Sequence, residues 1–126
     1  NIAGHVTIED WAILEGMVGV QQFVTIGQHA FVAGGSMVRK NIPPFVKAAR
    51  EPLSFIGVNS IGLRRRGFDN EQVVNIEDIY RTLYVQNGNI SQALRVAETE
   101  LPQSDEKTIV LGFISASDKG IIRGPF

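Results

Sequence analysis

The sequence predicts a triangular parallel β-helix built from six-residue repeats, followed by a small α-helical domain. Three observations predict it. Every sixth residue from Ile2 onward is a branched aliphatic: Ile2, Ile8, Leu14, Val20, Ile26, Val32 and Val38. Four residues after each of the first six comes a small or β-branched residue: Val6, Ala12, Val18, Val24, Ala30 and Ser36. From Asp69 the apolar spacing changes to i, i+3, i+7, the period of a helix.

A six-residue period fits neither a helix nor strict strand alternation. One inward aliphatic per hexad describes a three-sided solenoid in which each hexad supplies a short strand and a turn. Three hexads close a coil, and coils stack at strand-pairing distance, about 4.8 Å. An ordinary antiparallel meander does not require a fixed period of six. The small residues that often follow the aliphatics (Ala3, Gly27, Ala33) read as the tight corners.

Residues 1–42 are expected to form the last coils of this helix, 43–68 a connecting basic segment, and 69–126 a helical domain. Pro43-Pro44 ends the repeat, because proline cannot donate to a strand ladder. Phe45-Val46 and Phe55-Ile56-Gly57-Val58 read as short extended pieces. Asp69 followed by Gln72 has the form of a capping box. Behind it Val73, Ile76, Tyr80, Leu83 and Tyr84 make one apolar stripe, stopped at Asn87-Gly88. A second helix runs from about Ser91 to Pro102, with Ala93, Leu94, Ala97 and Leu101 inward. A third starts near Ser104 and carries Ile109, Val110, Phe113 and Ile114. Gly120-Ile121-Ile122-Arg123 reads as an ordered tail. The chain opens on Asn1, in mid-pattern, and its six hexads fill only two coils, so earlier coils are expected to precede it.

The 126 residues carry a net charge of −1, with 44% apolar and 20% charged residues. This is globular composition, not that of a disordered tail. The absence of cysteine excludes disulfides and thiolate-bound metals, and no apolar window is long enough for a membrane span. Charge is segregated: −3 over residues 1–38, +6 over 39–68 and −4 over 69–126. The basic middle could hold an anion. It is short, flanked by acids and not interleaved with aromatics, which argues against nucleic acid.

Ala3-Gly4-His5-Val6, Gln21-Gln22-Phe23, Pro43-Pro44, Gly57-Val58-Asn59 and Gly62-Leu63-Arg64-Arg65-Arg66-Gly67-Phe68 resemble, in order and spacing, the UDP-N-acetylglucosamine O-acyltransferases of lipid A biosynthesis. The helical tail ending Gly-Ile-Ile-Arg is similar too, and the resemblance covers essentially the whole chain. It implies a left-handed parallel β-helix, against the usual right-handed crossover rule. It also implies a cytoplasmic homotrimer with sites between neighbouring β-helices. There a 3-hydroxyacyl group would pass from acyl carrier protein to the sugar 3-hydroxyl, with no cofactor beyond the carrier's phosphopantetheine thioester and no metal.

Residue by residue, the resemblance implies His5 as a proton-handling or hydrogen-bonding group near the sugar. Gly4 matches the donor of an oxyanion-stabilising backbone N–H. Gln22 matches a substrate hydrogen bond, and Gly34 a position lining the acyl groove. Gln21 departs from the histidine common there, and so loses any titrating role. Asn59, Arg65 and Arg66 match residues that contact the UDP-sugar across a subunit boundary, where forked guanidinium donors suit a diphosphate. On an extended segment, at most two of the three consecutive arginines would share one phosphate. Lys47 and Arg50 could steer the acidic carrier protein. Trp11 and Phe23 are expected to face outward between subunits. The family's principal general base precedes the first residue here, so these residues alone are expected to lack proper activity.

Three other readings stay open: a different hexapeptide-repeat acyltransferase, a trimeric zinc enzyme on the same β-helix, and a non-enzymatic trimerisation or binding module. The zinc enzyme needs three histidine ligands. Only His5 and His29 exist, on different faces of an eighteen-residue coil.

Overall fold

Side chains that recur every six residues can all face one axis only if the chain turns through a third of a circle per repeat. The computed structural model, which describes Ile2 and residues 4–125, does this. Six two-residue strands, β1 (Thr7–Ile8), β2 (Ile13–Leu14), β3 (Gly19–Val20), β4 (Thr25–Ile26), β5 (Phe31–Val32) and β6 (Met37–Val38), lie on three faces of a prism. The pairs β1–β4, β2–β5 and β3–β6 are all parallel, and each residue meets the one eighteen positions on, as Thr7 meets Thr25. The repeated aliphatics therefore stack in columns inside the prism, and Ile26, Val32, Val38 and Ile42 are fully buried. Of the second inward series, Val18, Val24, Ala30 and Ser36 are buried as well.

The corners fall elsewhere than expected. The turn comes three residues after each inward aliphatic, at His5, Trp11, Met17, Phe23, His29 and Gly35, all with positive φ. Of the small residues read as corners, Gly27 and Ala33 are not at the turn, and Ala3 lies outside the described residues. Five of the six corner residues thus hold a left-handed conformation that costs a non-glycine residue free energy. The cost is accepted because burial and eighteen-residue pairing fix both flanks of the corner.

Pro43 and Pro44 are buried, and they end the regular coil. A Cβ on Gly27 would lie 2.5 Å from the Pro44 nitrogen, so only glycine lets the chain cross there. Strand β7 (Val46–Ala49) then joins β5 with Phe31 opposite Lys47, an offset of sixteen rather than eighteen, and β8 (Ser54–Val58) returns antiparallel to it. Four helices follow: α1 (Ser60–Arg65), α2 (Asn70–Tyr84), α3 (Ile90–Glu100) and α4 (Asp105–Ser115). The α1 helix corrects the reading of Arg64, Arg65 and Arg66 as an extended run; Arg64 and Arg65 close its last turn and Arg66 is its C-cap.

The other helices start where local chemistry puts them. Asp69 and Gln72 form the reciprocal capping box of α2, and Asn89 and Ser104 cap α3 and α4. The α2 stripe is buried as expected, with Ile79 added and Tyr84 half-covered. Lys107 is only 2% exposed. Its Nζ donates to the carbonyls of Glu98 and Leu101, satisfying the otherwise unpaired C-terminal end of α3. The tail closes the molecule as a pair of parallel bridges, Ile121 to Asn41 and Arg123 to Ser54.

One bond ties the helical domain to the coil at its most buried point. The Tyr80 hydroxyl donates to the Pro44 carbonyl at 2.6 Å. Tyr80→Phe leaves that carbonyl buried without a partner, and is expected to cost about 1–3 kcal/mol. Urea denaturation of the two forms measures it.

Candidate functional site

Because corners repeat every eighteen residues, each prism edge carries a column of corner side chains. On the first edge the His5 ring stacks on Phe23, centroids 5.5 Å apart, and the Lys119 ammonium lies 4.9 Å from the Phe23 ring. On the second, Trp11, His29 and Phe45 stack at 6.3 and 5.9 Å, and Phe68 meets His29 edge-on at 5.1 Å. The third carries Met17 and Gly35.

The expected site residues divide among these edges. His5, Gly4 and Gln22 are exposed together on the first. Nothing would lie within 4 Å of a Cβ at Gly4, so its backbone faces open space. Gly34 is at the third edge. Its N–H donates to the Glu15 carboxylate at 3.1 Å, and an added Cβ would come 3.2 Å from the Gly16 carbonyl of the coil above. Stacking of coils therefore restricts this position independently of any ligand.

Asn59, Arg65 and Arg66 gather beside the second edge. Asn59 is buried as the N-cap residue of α1. Its backbone N–H donates to Phe45 and its Nδ2 to the His29 carbonyl at 3.0 Å. Gly62 is the condition for this placement, since a Cβ there would fall 2.5 Å from Asn59 Nδ2. Arg65 and Asn59 open into a groove of about 340 Å³ on the β2–β5–β7 face, lined also by Ile13, Phe31, Ile56, Ile61 and Lys47. The three arginines part company. Arg64 donates to the Asn70 side chain at 3.2 Å, Arg65 faces the groove, and the Arg66 guanidinium lies 4.0 Å above Trp11. Arg50 donates to the Pro125 carbonyl and does not line the groove.

Three contributors escaped sequence reasoning. Trp11 is exposed, as expected of an outward residue, but it is also the shelf for Arg66. His29, which the sequence offers only as a metal ligand, packs among Trp11, Phe45 and Phe68, and burial together with the nearby Arg66 charge lowers its pKa below the ordinary 6.5. The eighteen-residue spacing of Trp11 and His29 was the available signal. Lys47, read as a surface steering charge, lines the groove. His5 and His29 stand on different edges, and among the described residues no three His, Cys, Asp or Glu side chains gather as a metal site requires. No helix among these residues is long and apolar enough to cross a membrane.

A six-residue-repeat coil with an apolar, cation-lined groove beside its flank defines a hexapeptide-repeat acyltransferase architecture. Residues 41–122 match the family described as UDP N-acetylglucosamine O-acyltransferase, domain 2. A protein of Burkholderia lata named acyl-[acyl-carrier-protein]–UDP-N-acetylglucosamine O-acyltransferase is 44% identical over 98% of this chain and 48% of its own length. The crystal structure of a UDP-N-acetylglucosamine acyltransferase from Bacteroides fragilis superposes with a TM-score of 0.91 at 43% identity, covering 94% of this chain and 46% of that one. The Francisella novicida UDP-N-acetylglucosamine acyltransferase gives 0.88 at 34%, covering 98% and 46%. The chain belongs to the UDP-N-acetylglucosamine O-acyltransferase family, and it spans about half the length of the relatives it matches.

Two outcomes follow from this geometry. Gly62→Ala drives the Asn59 amide off the His29 carbonyl, and is expected to lower stability by about 1–3 kcal/mol in a thermal melt. For His29, the unfolded chain protonates near 6.5 while the fold keeps the ring neutral to lower pH. The unfolded state therefore binds more protons in that interval, so the stabilising contribution is whole above pH 6.5 and is lost as the pH falls toward the lowered value. The difference in melting temperature between the native chain and His29→Gln, followed as the pH drops below 6.5, is expected to shrink.

Proposed function

We propose that this chain is the sugar-nucleotide-binding half of an acyltransferase of lipid A biosynthesis, moving a 3-hydroxyacyl group from acyl carrier protein to the 3-hydroxyl of UDP-N-acetylglucosamine. The observation that carries this reading is the division of the family-matched residues between two prism edges. His5, Gly4 and Gln22 are on one, and Asn59 and the arginines are beside another. A homotrimer of left-handed coils, as in the family, would set the first edge of one subunit against the groove of the next.

In such a cleft Arg65 takes the diphosphate through charge-assisted bonds, with Arg66 beside it. The Asn59 amide, pinned by His29, presents its oxygen toward the nucleotide. Gln22 hydrogen-bonds the sugar, and Gln21 holds a position where the family often has histidine. The apolar walls receive the acyl chain, which passes Gly34. The sugar oxygen attacks the thioester carbonyl carbon as its hydroxyl proton leaves to a base. The Gly4 N–H meets the oxyanion, and the C–S bond then breaks, with the departing thiolate taking up the proton. His5 holds the reacting sugar by hydrogen bonding. Neither His5 nor His29 is assigned the role of principal base. The cytoplasm, where carrier protein and sugar nucleotide meet, is the proposed location.

Calorimetric titration with UDP-N-acetylglucosamine tests the reading. Binding is expected, weakened at least about tenfold by Arg65→Ala with Arg66→Ala, without the turnover rate of a full-length relative. An absence of binding at millimolar concentration overturns it.

A further inference from the structure

The groove holds a second cation that the family match does not assign. Lys47 alternates outward with Ala49 on β7, between buried Val46 and Ala48. It lies directly beside Phe31 in the ladder and lines the same groove as Arg65 and Asn59. Its side chain is half-buried. Among the described residues neither Lys47 nor Arg65 makes an ion pair or a side-chain hydrogen bond; the ion pairs are Arg39–Glu51 and Arg81–Asp78. Among the described residues no carboxylate lines this groove; the Glu77 carboxylate, nearby, accepts from the Ser60 hydroxyl. Two positive charges without an ion-pair partner, the exposed Arg65 and the half-buried Lys47, thus line one apolar-walled groove, an arrangement that favours a bound anion carrying two charges.

We propose that Lys47 is a phosphate-binding residue, acting with Arg65 to hold the diphosphate of a nucleotide in this groove. The inference rests on the sugar-nucleotide reading above and adds a residue to it. Two cations match the two charges of a diphosphate diester, whereas a single phosphodiester, such as that of a pantetheine arm, carries one. Arg66, held over Trp11, is not among the residues that line the groove. The division of labour is physical: Arg65 supplies a planar fork and Lys47 a compact ammonium on a stem packed beside Phe31.

The test compares UDP, uridine and the methyl phosphodiester of 4′-phosphopantetheine, which carries the single charge of the carrier-bound arm, as probes of the intact chain by calorimetry. Lys47→Met keeps the apolar stem and removes the charge; Lys47→Arg keeps the charge. Lys47→Met is expected to weaken UDP binding about tenfold and leave uridine unchanged, with Lys47→Arg restoring most of the loss. The salt dependence of UDP binding is expected to flatten in Lys47→Met alone. Equal loss for UDP and uridine assigns Lys47 to packing and overturns the proposal. So does an effect confined to phosphopantetheine, or unchanged UDP affinity in Lys47→Met while Arg65→Ala weakens it; that last result leaves the sugar-nucleotide reading intact. Failure of the native chain to bind UDP at all removes both.

Discussion

Stacking of aliphatic side chains along the axis of the prism is the constraint on which everything else depends. The strands are only two residues long and could not hold together as an isolated sheet. What fixes them is that each inward residue sits on its counterpart from the next coil, in columns such as Ile8, Ile26 and Ile42. With those columns in place the backbone has no freedom at the corners, and tryptophan, methionine, phenylalanine and histidine are held in a conformation usually left to glycine.

The corners then determine the chemistry. A strained corner projects its side chain away from the prism, and identical corners on successive coils bring those side chains into register. The result is a pair of aromatic columns, one presenting His5 and the other supporting Arg66 and Asn59. Rigid columns of this kind suit a binding site, because the groups they carry lose little further freedom when a ligand arrives. His29 is the pivot of the second column. Its ring packs among Trp11, Phe45 and Phe68, while its carbonyl fixes the Asn59 amide.

Much of this was legible in the residues. The six-residue period identified the coil without reference to any relative, and Asp69 with Gln72 marked the start of a helix that begins there. Helix α1 was not legible, because it is six residues long and its N-cap residue makes no side-chain capping bond, the Asn59 amide being given to His29 instead. The place of Lys47 was hidden for a different reason. Counting by eighteens sets Phe31 beside Ala49, but the last circuit loses two residues between Val38 and Ile42, which already pairs with Ile26, and Lys47 takes that position. The corner positions are not legible because small size does not mark a turn in this coil; the turns are imposed from outside by the strands that flank them.

The eighteen-residue pairing also sets how this architecture can change in length. Losing or gaining one residue within a coil would carry every later side chain to the wrong side of the prism, turning aliphatics into solvent and exchanging one aromatic column for another. Adding a whole turn would lengthen the prism by about one strand spacing and leave the order of edges unaltered. Within the regular circuits evolution is therefore quantised: drift by point replacement at the corners, growth or shrinkage by entire circuits, the one shortening by two residues falling in the last circuit, where Ile42 still stacks on Ile26.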